Sequence, residues 1–112
     1  MRLEPVDWEV RGNYRVSRMH VFDERTFVQM VEISGRVDKH YHRVQTEVFV
    51  VVEGEGRIGI GDEVYEVKCG DVLLCEPGKV HFAEGNMRIL VFKYNYVEND
   101  SYWINLSSGE VE

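Results

Sequence analysis

The chain is poor in the residues that mark a disulfide-held or membrane-bound protein. It has 2 cysteines in 112 residues, too few for a disulfide framework. The stretch separating Cys69 from Cys75 is not the spacing of a zinc knuckle or a redox pair. Both are read as reduced, buried small hydrophobes. No stretch nears the ~20 consecutive apolar residues of a membrane span, and Met1-Arg2-Leu3-Glu4-Pro5-Val6-Asp7 lacks a signal-peptide hydrophobic region. No membrane partner is therefore expected, and the expected compartment is the cytoplasm.

Positive charge is also scarce. Lys and Arg number 13 against 20 Asp and Glu, a net charge of −7. Residues 1–43 carry 8 basic and 7 acidic groups, residues 44–112 only 5 basic and 13 acidic. A phosphate backbone demands clustered Lys and Arg, so nucleic acid is not an expected partner. The acidic excess reads as a solvated surface. With 44% hydrophobic and 29% charged residues, the composition is that of a folded globular protein. The length leaves room for one core, so residues 1–112 are read as a single domain.

Helical periodicity is missing too. Val, Ile, Tyr and Phe recur in short runs split by glycines, the pattern of an all-β chain. Strands are expected at Tyr14–Phe22, Phe27–Ile33, His40–His42, Val48–Val52, Arg57–Ile60, Val64–Val67, Val72–Cys75, Val80–Phe82 and Arg88–Tyr96, with a tight hairpin at Ile58–Tyr65. So many short antiparallel strands must close into a barrel or pack as a sandwich to protect their edges. Residues 1–13, with Trp8, and 97–112, with Tyr102-Trp103-Ile104, read as additions to the barrel. Their aromatics need cover, either on their own barrel or on a second subunit.

What is present is a set of metal-binding residue types. His40-Tyr41-His42 places two imidazoles at i and i+2, the same face of a strand. Tyr41 then points away from them. Glu47 lies at an odd offset from His42, so a turn or bulge over Arg43–Thr46 is needed to bring it to the same side, on the adjacent strand. It opens the apolar run Val48–Val52, an expensive place for an unpaired carboxylate. A second segment, Gly70 to His81, is a strand, a Pro77-Gly78 turn and a short strand ending in one histidine. Three imidazole nitrogens and one carboxylate oxygen suit Mn, Fe, Co, Ni, Cu or Zn and disfavour Ca or Mg. Phe49 and Val51 share the face of Glu47 and are read as the apolar wall of a substrate pocket. Glu76 reads as a solvated turn residue and His20 as an ordinary strand residue. Lys93 would meet an anionic substrate if its face of Arg88–Tyr96 is interior, but a lysine at a strand end is ordinarily solvated.

At these residues the sequence resembles the cupin superfamily. Gly35, His40, His42, Glu47 and Gly54 match its first motif; Gly70, Pro77-Gly78 and His81 match its second. The resemblance covers about residues 35–86. Pro77 is adjacent to Gly78 rather than two residues before it, and Gly85 stands where the second motif has an asparagine. The resemblance implies a double-stranded β-helix, or jelly-roll, barrel, commonly a homodimer. It also implies one divalent transition metal on His40, His42, Glu47 and His81. The function expected is a metal-dependent enzyme acting on a small polar molecule, by dioxygenase-, lyase- or isomerase-like chemistry, with no catalytic base nominated. The alternative is a non-catalytic module that binds a small ligand or the metal itself.

Overall fold

Three long strands organise the structure, a computed structural model that describes residues 1–105 and 110–111. The elements are β1 (Glu9–Arg11), β2 (Tyr14–Asp23), β3 (Thr26–Tyr41), β4 (Thr46–Ile60), β5 (Glu63–Lys68), β6 (Val72–Cys75), β7 (His81–Tyr94), β8 (Tyr102–Asn105) and β9 (Glu110–Val111). The expected tail 97–112 is thus partly outside the described residues, at 106–109 and 112.

β7 is central and runs antiparallel to β3 on one side and β4 on the other along its whole length. The halves of the long strands then take different outer neighbours. The first half of β3 pairs with β2, which pairs with β1, and the first half of β4 pairs with β6. Beyond the bend, the last residues of β3 pair with β8 and the second half of β4 with β5. One continuous set of strands therefore makes two faces of a barrel, the all-β jelly-roll arrangement expected.

Where the sequence reading placed gaps at glycines, the strands continue. Phe27–Ile33 and His40–His42 merge into β3, Val48–Val52 and Arg57–Ile60 into β4, and Val80–Phe82 and Arg88–Tyr96 into β7. Gly35, Gly85 and Gly56 lie opposite one another across β3, β7 and β4, and here the strands pass within backbone contact. A Cβ on Gly56 would lie 2.2 Å from the Glu84 carbonyl oxygen, and one on Gly85 2.6 Å from that of Glu55. Glycine bends the sheet at this row; it does not end it.

Two irregularities set what faces inward. Along β3, Gln29, Val31, Ile33 and Val37 line the barrel interior, all at odd numbers, while Val28 and Met30 are buried on the other face. A register shift between Val37 and His40 then moves the inward phase to even numbers, because one extra residue in a strand exchanges its faces. On β4, Glu47, Phe49 and Val51 are buried; a shift between Val51 and Glu53 lets Ile58 face in farther along. The core collects Val16, Ile33, Phe49, Val51, Ile58, Ile89 and Val91 from both faces of the barrel.

The terminal aromatics pack on their own barrel. Trp8 lies 4.1 Å beneath the Arg15 guanidinium, and Trp103 stacks on His40. Of the two cysteines expected to be buried, Cys75 is and Cys69 is not. Cys69 sits in the turn after β5, which faces solvent. The hairpin expected at Ile58–Tyr65 closes with Ile60 opposite Glu63.

The bend should be intolerant of side chains. Gly54 has φ +78°, and a Cβ there would lie 2.1 Å from the Asn86 carbonyl oxygen. Gly54→Ala is expected to cost about 2–5 kcal/mol, a left-handed penalty plus a backbone clash. Gly78 has φ +85° but nothing within 4 Å, so Gly78→Ala should cost only about 1–2 kcal/mol. Equilibrium urea unfolding of the two variants checks the order.

Candidate metal centre

His40, His42, Glu47 and His81 come together inside the barrel from three elements. The shift in β3 turns His40 inward, and His42, one residue beyond the end of β3, follows it two positions on. His81 opens β7 opposite His40. Glu47, on β4, reaches them from the opposite face of the barrel. It does not come from a strand adjacent to β3, as expected, because β7 lies between β3 and β4.

Residues 43–45 make the crossing between the two faces, and a distant residue holds them in shape. The Asp100 carboxylate accepts hydrogen bonds from the backbone N–H groups of Arg43, Val44 and Gln45 at 2.9, 2.9 and 3.1 Å. Three converging amides suit a buried anion. Burial alone would raise the Asp100 pKa, but these bonds hold it below the usual range.

The histidine orientations follow from their backbone partners. His40 Nδ1 lies 2.8 Å from the Asp38 carbonyl oxygen, His42 Nδ1 2.8 Å from that of Asp100, and His81 Nδ1 3.0 Å from that of Lys79. A carbonyl can only accept, so each Nδ1 carries the proton and donates it. Each Nε2 is left as the nitrogen able to bind an ion. The three imidazoles each offer a ligand atom, and these atoms lie within 4.8 Å of one another.

Glu47 lies outside that group of three but approaches two of its members. It is 5% exposed, with Oε1 2.9 Å from His42 Nε2 and 3.2 Å from His81 Nε2, and Oε2 3.8 Å from Lys93 Nζ. Burial would raise its pKa, but His42, His81 and Lys93 outweigh that and hold it well below the usual carboxylate range. Burial, with His81 alongside, drives His40 down to about 3. At His81 burial also opposes the charge, but Cys75, 3.4 Å away, and Glu47 outweigh it and raise the pKa to about 10.

His42 Nε2 and Glu47 Oε1 are nonetheless buried without a hydrogen-bond partner among the described residues. An imidazole nitrogen and a carboxylate oxygen this close need a positive centre between them, either a proton on Nε2 or a metal ion in its place. Separations of 2.9 and 3.2 Å are those of ligands sharing one ion through bonds of about 2.0–2.2 Å. The residues present therefore fit a divalent transition metal.

The histidines and Glu47 form part of the wall of a cavity of about 100 Å³. Phe49 lines it. Val51 is 1% exposed and belongs to the core, but it is not among the lining residues. Tyr41 stacks on Tyr102 and Glu76 is exposed in its turn, so neither lines the cavity. Lys93, ordinarily a solvated strand end, is inside: its side chain is 14% exposed because Ile89, Val91 and Lys93 share the inward phase of β7. Burial pulls its pKa down, opposed by Glu47.

Asp100 and Trp103 were not singled out from the sequence as parts of this centre. Asp100 acts over a separation of more than fifty residues and has no local motif. Trp103 was visible only as an aromatic needing cover, and it stacks on His40 with centroids 4.3 Å apart and an interplanar angle of 26°. Lys93 could have been found from strand parity alone.

The comparisons with known proteins agree with this architecture. The Cupin domain family matches residues 27–92, more than half of the chain, and the chain belongs to that family. An uncharacterized protein of Methanocaldococcus jannaschii is 28% identical over 69 residues, a match that covers 60% of this chain and 55% of that protein's length. Among solved structures, Streptomyces Pac13, described as a unique nucleoside dehydratase and also solved with uridine, superposes with a TM-score of 0.81. It is 13% identical, over 94% of this chain and 92% of Pac13. A predicted oxalate decarboxylase from Thermotoga maritima gives 0.77 at 16% identity, over 86% of this chain and all of the other. KdgF from Halomonas sp. gives 0.74 at 16% identity, over 84% and 90%. At these identities the likeness is one of fold.

Because Asp100 shapes the loop between His42 and Glu47, Asp100→Ala should weaken metal binding by about 10- to 100-fold while the barrel stays folded. Competition with a chromogenic chelator, alongside far-UV circular dichroism, measures both. Unchanged affinity would show that the loop holds the ligands without Asp100.

Proposed function

We propose that this protein is a metal-dependent enzyme acting on a small polar molecule, with His40, His42, Glu47 and His81 holding one divalent transition metal. The observation that carries the reading is the facing pair of unpartnered buried atoms, His42 Nε2 and Glu47 Oε1, in the wall of a cavity. Burial of this kind is unfavourable for the fold and useful for an ion.

When bound, the metal supplies Lewis-acid chemistry to substrate oxygens, or redox chemistry if the ion is iron or copper. The chain's own residues do the rest. The carbonyls of Asp38, Asp100 and Lys79 fix the imidazole tautomers. Phe49, Ile58, Ile89 and Val91 make an apolar wall that excludes water. Tyr14 also lines the cavity; burial raises its pKa, so its hydroxyl stays protonated and available as a donor.

The test is to incubate metal-loaded protein with a pool of polar metabolites and follow the pool by mass spectrometry beside Glu47→Gln. The wild type should consume at least one compound, and Glu47→Gln should be slower by about 10- to 100-fold or more. A compound that binds stoichiometrically and is recovered unchanged would make the protein a carrier.

A further inference from the structure

Lys93 is placed for a ligand as well as for Glu47. Its Cα lies opposite Glu47 on β4 and Phe27 on β3, and its Nζ is 3.8 Å from Glu47 Oε2. The rings of Phe27 and Tyr96 lie 5.8 and 5.9 Å away. Gln29, paired with Val91, is one diagonal step from Lys93, a distance that long side chains can span. It is 8% exposed and lines the same cavity.

A lysine so placed could merely balance Glu47. Yet if Glu47 gives its charge to a metal ion, the ammonium loses its counter-charge while remaining mostly buried, a costly state. An anion entering the cavity restores the balance. Arg11 also lines the cavity but is paired with Glu9 at 3.1 Å, which leaves one ammonium and one side-chain amide to match the two oxygens of a carboxylate; a phosphate is more often met by several free N–H donors or an arginine fork. The cavity is only about 100 Å³, so the part of the ligand that enters is small.

We propose that the substrate is a short-chain carboxylate, of the size of two to four carbons, whose carboxylate is received by Lys93 and Gln29 while its other end faces the histidines. The proposal rests on the metal-holding reading above. In it Lys93 binds substrate and sets the charge of what is accepted; Gln29 positions the second oxygen.

The test uses malonate, its neutral analogue malonamide, and inorganic phosphate, each titrated calorimetrically into zinc-loaded and metal-free protein. Metal content is measured before and after each titration. For the zinc-loaded wild type, malonate should bind at least about tenfold more tightly than malonamide or phosphate. Lys93→Met should lower malonate affinity by about tenfold or more with zinc retained and malonamide binding unchanged, and Lys93→Arg should restore most of it.

Equal binding of malonate and malonamide by the wild type, a decision independent of whether any variant folds, would overturn the proposal. So would preference for phosphate, or malonate binding that Lys93→Met leaves unchanged. In the metal-free protein Glu47 remains the counter-charge of Lys93, so malonate should bind at least about tenfold more weakly there. Failure to take up zinc would overturn the metal reading, whereas zinc uptake without Lys93-dependent malonate binding would overturn the carboxylate subsite alone.

Discussion

A buried carboxylate facing imidazole nitrogens constrains the centre of this barrel. Glu47 opens a strand whose inward residues are otherwise apolar, and it is ionised there because His42, His81 and Lys93 surround it. Each of these contacts depends on something farther away. His42 needs the Asp100 carbonyl, His81 needs Lys79, and Lys93 needs the inward phase of β7. The interaction is local, but the conditions for it are spread over most of the chain.

The barrel meets those conditions by breaking strand regularity at chosen points. An uninterrupted β3 would carry the inward phase past Val37 on odd numbers and turn His40 and His42 outward. The shift between Val37 and His40 prevents this. The shift between Val51 and Glu53 similarly changes which residues of β4 face the core. The glycine row lets three strands belong to both faces, so that residues on opposite walls converge. Bulges and bends of this kind re-aim side chains.

Much of this was legible in the sequence. Alternation and glycine punctuation gave an all-β chain, and the resemblance to cupins gave the barrel and its candidate ligands. The strand breaks read at Gly35, Gly54, Gly56 and Gly85 were misplaced because a glycine that bends a sheet and one that ends a strand look alike in one dimension. Lys93 was read as solvated from the habits of lysine, although the inward phase set by Ile89 and Val91 extends to it. Asp100 left no signal, since three amides of a distant loop create its role and the fold alone brings them to it. Cys69 was read as buried on residue type, yet it lies in a turn.

The central claim is that a divalent transition metal occupies the space between the three imidazoles and Glu47. Elemental analysis of protein purified without chelator or added metal, beside His42→Ala, tests it most directly. The account predicts about one equivalent of a transition metal in the wild type and a large loss in the variant. Absence of metal from the wild type, even after reconstitution with each of manganese, iron, cobalt, nickel, copper and zinc, would contradict it.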